Sequence, residues 1–185
     1  MKNTLSFCLL LVSFCCIAQK NNTSAKKDSI DDNHWRYFDE EDKMTSGKTH
    51  KAAVFSINKL QLKSPPDENT KIHLFIQNYE GANTFALVLD KGRFNETTDG
   101  NINLRIRFDE EQPAYYNFHS FKGNVNSAYL AYAEANKMIE KVKKAKRIRI
   151  ELDFDNTGSQ IIEFNVAGLK WDYPAKEKGD NIPGN

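Results

Sequence analysis

Two stretches of this chain alternate apolar and polar residues with a period of two. Ile102, Leu104, Ile106 and Phe108 are interleaved with Asn103, Arg105 and Arg107, and Ile148, Ile150, Leu152 and Phe154 with Arg149, Glu151 and Asp153. Successive side chains of a strand point to opposite faces, so each stretch has one face for a core and one for water. A sheet with one wet face is antiparallel far more readily than parallel, because parallel strands are covered on both sides. Shorter runs of the same kind occupy WRYFDEE, KAAVFSIN, KIHLFIQN, TFALVLDKG, AYYNFHSF and SQIIEFNV. Turn-forming clusters separate them: PPDEN, EGAN, ETTDGN, EEQP and NTGS. About eight strands are therefore expected.

The exception is SAYLAYAEANKMIEKVKKAKR. Leu130, Ala133, Met138, Ile139, Val142 and Ala145 fall near one face at helical spacing, Ser127 can serve as N-cap, and the bases from Lys141 to Arg147 suit a helix C-terminus. One amphipathic helix cannot cover two sheets. The expected fold is mainly β: an antiparallel β-sandwich or curved sheet of about eight strands with one packed α-helix.

The N-terminus reads as a secretory leader. In MKNTLSFCLLLVSFCCIA a lysine precedes an apolar run from Leu5 to Ala18, too short for a membrane span, with cleavage expected after Ala18. All three cysteines, Cys8, Cys15 and Cys16, lie within it. The mature chain then has no disulfide, cysteine-ligated zinc or thiol nucleophile. A lipid anchor on Cys15 or Cys16 is the alternative, disfavoured because Phe14 and Cys15 stand where a small residue is needed. Export to the periplasm or the extracellular space follows. Residues 19–33 read as a flexible linker, 34–171 as the globular domain and 172–185 as a disordered tail. Lys2 is the one charge in the leader, so basic and acidic residues balance in the remainder. That balance gives no warrant for nucleic acid as a partner.

Asp153-Phe154-Asp155-Asn156-Thr157 matches the Asp-x-Asp-x-Thr of haloacid-dehalogenase-like phosphatases. Their nucleophile sits on a central parallel strand, whereas RIRIELD is charged at every second residue. Too little chain follows Asp155 for the remaining phosphate and metal ligands. Asn156-Thr157-Gly158-Ser159 is read instead as a hairpin turn.

The acidic groups Asp39 to Asp42 and Asp109 to Glu111 lack the spacing of a calcium loop. His34, His50, His73 and His119 are too far apart in sequence to form a metal motif, and no nucleophile elbow is present. No catalytic residue, metal or cofactor is expected. The binding candidates lie on AYYNFHSF, where Tyr115, Asn117 and His119 share one face. Arg105, Arg107 and Arg149 are expected to face outward and pair with Glu151 or Asp153.

The DKM turn at Asp42 to Met44, IRFDEE at Ile106 to Glu111, a helix running into AKRIRIEL, and the closing FNVAGLKW resemble the exported VasI/TagO-like accessory proteins of type VI secretion. That resemblance implies an envelope location and an accessory, non-enzymatic role. It carries over Arg107 and Asp109 as binding candidates beside Tyr115 and His119. The reading is a non-enzymatic module that binds an envelope protein partner through a sheet face or edge strand. The alternative is a small-ligand or glycan binder using the Tyr115 to His119 face, and a hydrolase with an unrecognised site stands last.

Overall fold

The computed structural model describes residues 34–63, 66–95, 97, 99–121, 124–154 and 157–173. The expected leader and its cysteines, the whole of the linker, Asp155, Asn156 and most of the tail lie outside them. The described residues fall in one compact unit.

Eleven strands and one helix follow in order: β1 (Arg36–Glu41), β2 (Lys48–Phe55), β3 (Leu60–Lys63), β4 (Pro66–Thr70), β5 (Ile72–Tyr79), β6 (Ala82–Leu89), β7 (Asn101–Phe108), β8 (Ala114–Phe121), β9 (Asn124–Ala131), α1 (Tyr132–Lys144), β10 (Arg147–Phe154) and β11 (Gly158–Asn165). Nine form a single sheet in the order β1-β2-β5-β6-β9-β8-β7-β10-β11, and β3 pairs with β4 apart from it. All neighbouring strands are antiparallel. The mainly β architecture with one helix is thus as expected, and it is realised as a curved sheet.

Curvature brings the two ends of the sheet together. The chain leaving β2 runs beside β11, where Ile57 N–H donates to the Glu163 carbonyl at 2.7 Å. Asn58 there acts as a surrogate backbone: its Nδ2 donates to the Ile161 carbonyl and its Oδ1 accepts from Glu163 N, both at 2.8 Å. Gln160 Nε2 donates to the Gln61 carbonyl at 2.8 Å. An open edge presents unpaired amides and carbonyls to other chains. Here side-chain amides satisfy part of that edge, so the seam closes without a continuous ladder.

The period of two decides what lies inside. Leu104 and Ile106 of β7, Ile150 and Leu152 of β10, and Ile162 and Phe164 of β11 are all buried in one cluster. From the helix, Ala135, Met138, Ile139 and Val142 join the same core. Between β5 and β6, Glu80 and Gly81 both have positive φ, at 49° and 91°. This is the two-residue hairpin geometry whose twist matches that of the strands it joins.

Where the sequence leads one to expect about eight strands, the described residues form eleven; β3, β4 and β9 are the additional ones, and two of these also displace a specific assignment. Ser127 is not an N-cap: it lies buried in β9 opposite Val88, and the helix begins at Tyr132 behind Ala131, which supplies no side-chain cap. SAYLA satisfies both periods, and pairing with β6 on one side and β8 on the other outweighs the helix propensity of its alanines. Tyr132, at φ 52°, turns the chain from strand to helix. The second difference is PPDEN, expected as a turn, of which residues 66–69 begin β4. A proline is tolerated at the first residue of an edge strand because the ladder loses no needed donor there.

Candidate functional site

The outward face of β8, β7, β10 and β11 carries the candidates read from the sequence. Register aligns Tyr115 with Arg105, Arg105 with Glu151, and Glu151 with Ile161, giving one row across four strands. At about 4.8 Å per strand, Tyr115 and Ile161 stand roughly 14 Å apart. Both are strongly exposed, Tyr115 at 77% and Ile161 at 56%. Arg105 Nη1 donates to Glu151 at 2.9 Å within the row.

The next row places Arg107 directly opposite Arg149. Like charges in that position repel. Glu110 offsets the repulsion by reaching both, at 2.6 Å from Arg107 Nη2 and 3.7 Å from Arg149 Nη1. Arg149 Nε also donates to Glu163 at 3.1 Å. The arginines face outward as expected, but Arg105 alone pairs with Glu151. Arg107 and Arg149 use Glu110 and Glu163, while Asp153, exposed opposite Ser159, takes none of them. Arg105, Arg107, Arg149, Glu151, Pro113 and Ile161 surround a shallow notch of about 190 Å³. That is below the roughly 300 to 1,000 Å³ of small-molecule sites. It suits a single side chain.

Tyr115, Asn117 and His119 do share this face, with Phe118 buried behind them. His119 lies four residues along the strand, roughly 13 Å from Tyr115 at 3.3 Å per residue. Its ring sits 6.0 Å from that of Tyr129, so tyrosine and imidazole do not converge.

Asp109 has a different job. At φ 44° it ends β7, and its Oδ1 accepts from the backbone N–H of Lys146 at 3.0 Å and of Arg147 at 2.8 Å. Arg107 Nε donates to the Glu111 carbonyl at 3.0 Å across the same turn. The pair thereby shapes the turn and fixes the entry to β10. Replacing Asp109 by alanine removes an ionised acceptor from two backbone donors, and about 1–2 kcal/mol of stability is the expected loss at this part-exposed site. Urea unfolding checks it, with the Tyr115 face otherwise unaltered.

Asp42 plays a similar part in the DKM turn, its Oδ1 accepting from Met44 N–H at 2.7 Å. That bond first, and the Thr45 hydroxyl second, hold its carboxyl below the ordinary carboxylate value. Asp39 and Glu40 pair across β1 and β2 with His50 and Lys51. Among the described residues no group of three His, Cys, Asp or Glu is placed to hold a metal ion. The Asp-x-Asp-x-Thr stretch begins on β10, which lies between two antiparallel neighbours and not in a parallel sheet.

A second concavity was not read from the sequence. It lies between α1 and the segment after β11, encloses about 380 Å³, and is lined by Asn83, Asn136, Ile139, Glu140, Lys143, Trp171, Asp172 and Tyr173. The signal for part of it was present. On β5 and β6 the buried parity runs through Ile76 to Asn78 and through Phe85 to Asn83, which aims two amides at the interior. Asn136, Glu140 and Lys143 stand at i, i+4 and i+7, one stripe of the helix.

No helix among the described residues is long and apolar enough to cross a membrane. No family model, curated protein or solved structure matches the chain.

Proposed function

We propose that this protein is a non-enzymatic interaction module of the bacterial cell envelope that docks a protein partner on the outward face of β8, β7, β10 and β11. The accessory role implied by the VasI/TagO-like resemblance belongs to the same reading. The observation that carries it is the row from Tyr115 to Ile161: two exposed apolar side chains flank Arg105, which Glu151 holds across strands, with Arg149 of the next row held by Glu163. Tyrosine and arginine dominate interface energetics because they bury large rigid surfaces and offer directional donors. Each guanidinium has five N–H donors, and Arg105 spends one on Glu151. The notch beside it has the size and charge for an aspartate or glutamate side chain of the partner.

The test is co-purification of the tagged full-length protein from its own cells, beside a Tyr115→Ala/Ile161→Ala variant. A stoichiometric partner is expected with the wild type and at least tenfold less of it with the variant, as loss of two anchors worth about 1–2 kcal/mol each would give. Recovery of the wild type alone and monomeric, or a partner held equally by both, would overturn the reading.

A further inference from the structure

We propose that the cleft between α1 and residues 171–173 is a second binding site, separate from the docking face, and that it takes a short neutral saccharide. Its floor is an amide network. Asn83, 5% exposed, accepts on Oδ1 from Asn78 Nδ2 at 2.8 Å and from Trp171 Nε1 at 3.4 Å. Amide orientations are normally a choice between two near-identical fits. Here the indole N–H, which can only donate, settles it. Asn83 Oδ1 must be the acceptor, so its Nδ2 donates to Asn136 Oδ1, at 2.9 Å. By the same step Asn136 Nδ2 is left as a donor with no acceptor among the described residues, on a side chain that lines the cleft.

The walls add the rest. Glu140 and Asp172 supply acceptors, and Lys143, 2.8 Å from Glu140, supplies a cationic donor. Trp171 and Tyr173 meet edge to face at 4.8 Å. Tyr173 is in turn stacked on His50 at 4.0 Å, and Asp39 holds that imidazole at 2.7 Å, so this wall is preorganised. Hydroxyls both donate and accept, so a mixed lining of amide, carboxylate and ammonium suits vicinal hydroxyl groups. A sugar ring's C–H face suits an aromatic wall. An organic cation would also favour the rings and carboxylates, but it would meet Lys143. The volume of about 380 Å³ falls within the small-molecule range and fits a short oligosaccharide better than a chain segment.

The test is saturation-transfer NMR on the full-length chain with glucose, N-acetylglucosamine, cellobiose and N,N′-diacetylchitobiose, with tetramethylammonium as the cation probe. Asn136→Asp keeps the acceptor that Asn83 needs and reverses the donor facing the cleft, and its thermal midpoint reports whether the fold is intact. Tyr173→Ala removes the aromatic wall independently. The expected result is transfer to at least one saccharide, weakened about tenfold in both cleft variants and unchanged in Tyr115→Ala. Transfer to none of the four, transfer undiminished in the cleft variants, or transfer to tetramethylammonium alone would overturn the proposal.

Discussion

Replacing Trp171 by alanine is expected to lower the unfolding free energy by about 3–5 kcal/mol, the usual range for deleting a buried aromatic from a core. The residue lies beyond the last strand, where an unpacked terminus would make such a change nearly neutral. It is nonetheless 2% exposed and part of the main apolar cluster. The segment that carries it is tied down along its length. Trp35 Nε1 donates to the Val166 carbonyl at 2.9 Å, Val166 N–H donates to the Lys146 carbonyl at 2.9 Å, and Lys170 N–H donates to the Tyr37 hydroxyl at 2.8 Å. Guanidinium unfolding with an unchanged m-value would report this as lost stability and not as a change in the unfolded chain. A shift within about 0.5 kcal/mol would mean that residues 166–173 are not part of the folded unit.

Asn83→Ala is expected to cost roughly 2–4 kcal/mol although it removes only a short polar side chain. The reason is what it strands: Asn78 Nδ2 and Trp171 Nε1 lose their acceptor, and Asn136 Oδ1 loses its donor. A buried group left without a partner costs about 1–3 kcal/mol, and Asn136, being half exposed, is repaired in part by water. A double-mutant cycle with Trp171→Phe isolates the indole bond. Coupling of at least about 0.5 kcal/mol is the expected outcome. Additivity would mean that the 3.4 Å contact contributes nothing.

The face assignments were legible because periodicity alone determines them. Which face a side chain takes along a strand does not depend on the neighbouring strands: Leu104 and Ile150 are buried and Arg105 and Glu151 are not, as alternation requires. What periodicity could not supply was pairing. Ser127 to Ala131 fits a helix or a strand, and only the placement of β9 between β6 and β8 decides for the strand. The seam formed by Asn58 and Gln160 joins residues about a hundred positions apart, and nothing local marks it. The same holds for the cleft. Asn83, Asn136 and Trp171 come from β6, α1 and the segment after β11, so their amide and indole groups meet only once the sheet has curled and the helix has packed. Arg107 and Asp109 show the opposite case. They were noticeable in sequence, and the structure uses them to shape the turn that leads into β10.

A photo-crosslinking residue placed at position 115, and in a separate variant at the exposed Glu134 on α1, would examine the docking face in the protein's own cells. The proposed module predicts one discrete crosslinked product from position 115 and none from position 134. No product at 115, or the same product from both positions, would contradict docking through the outward face of β8, β7, β10 and β11.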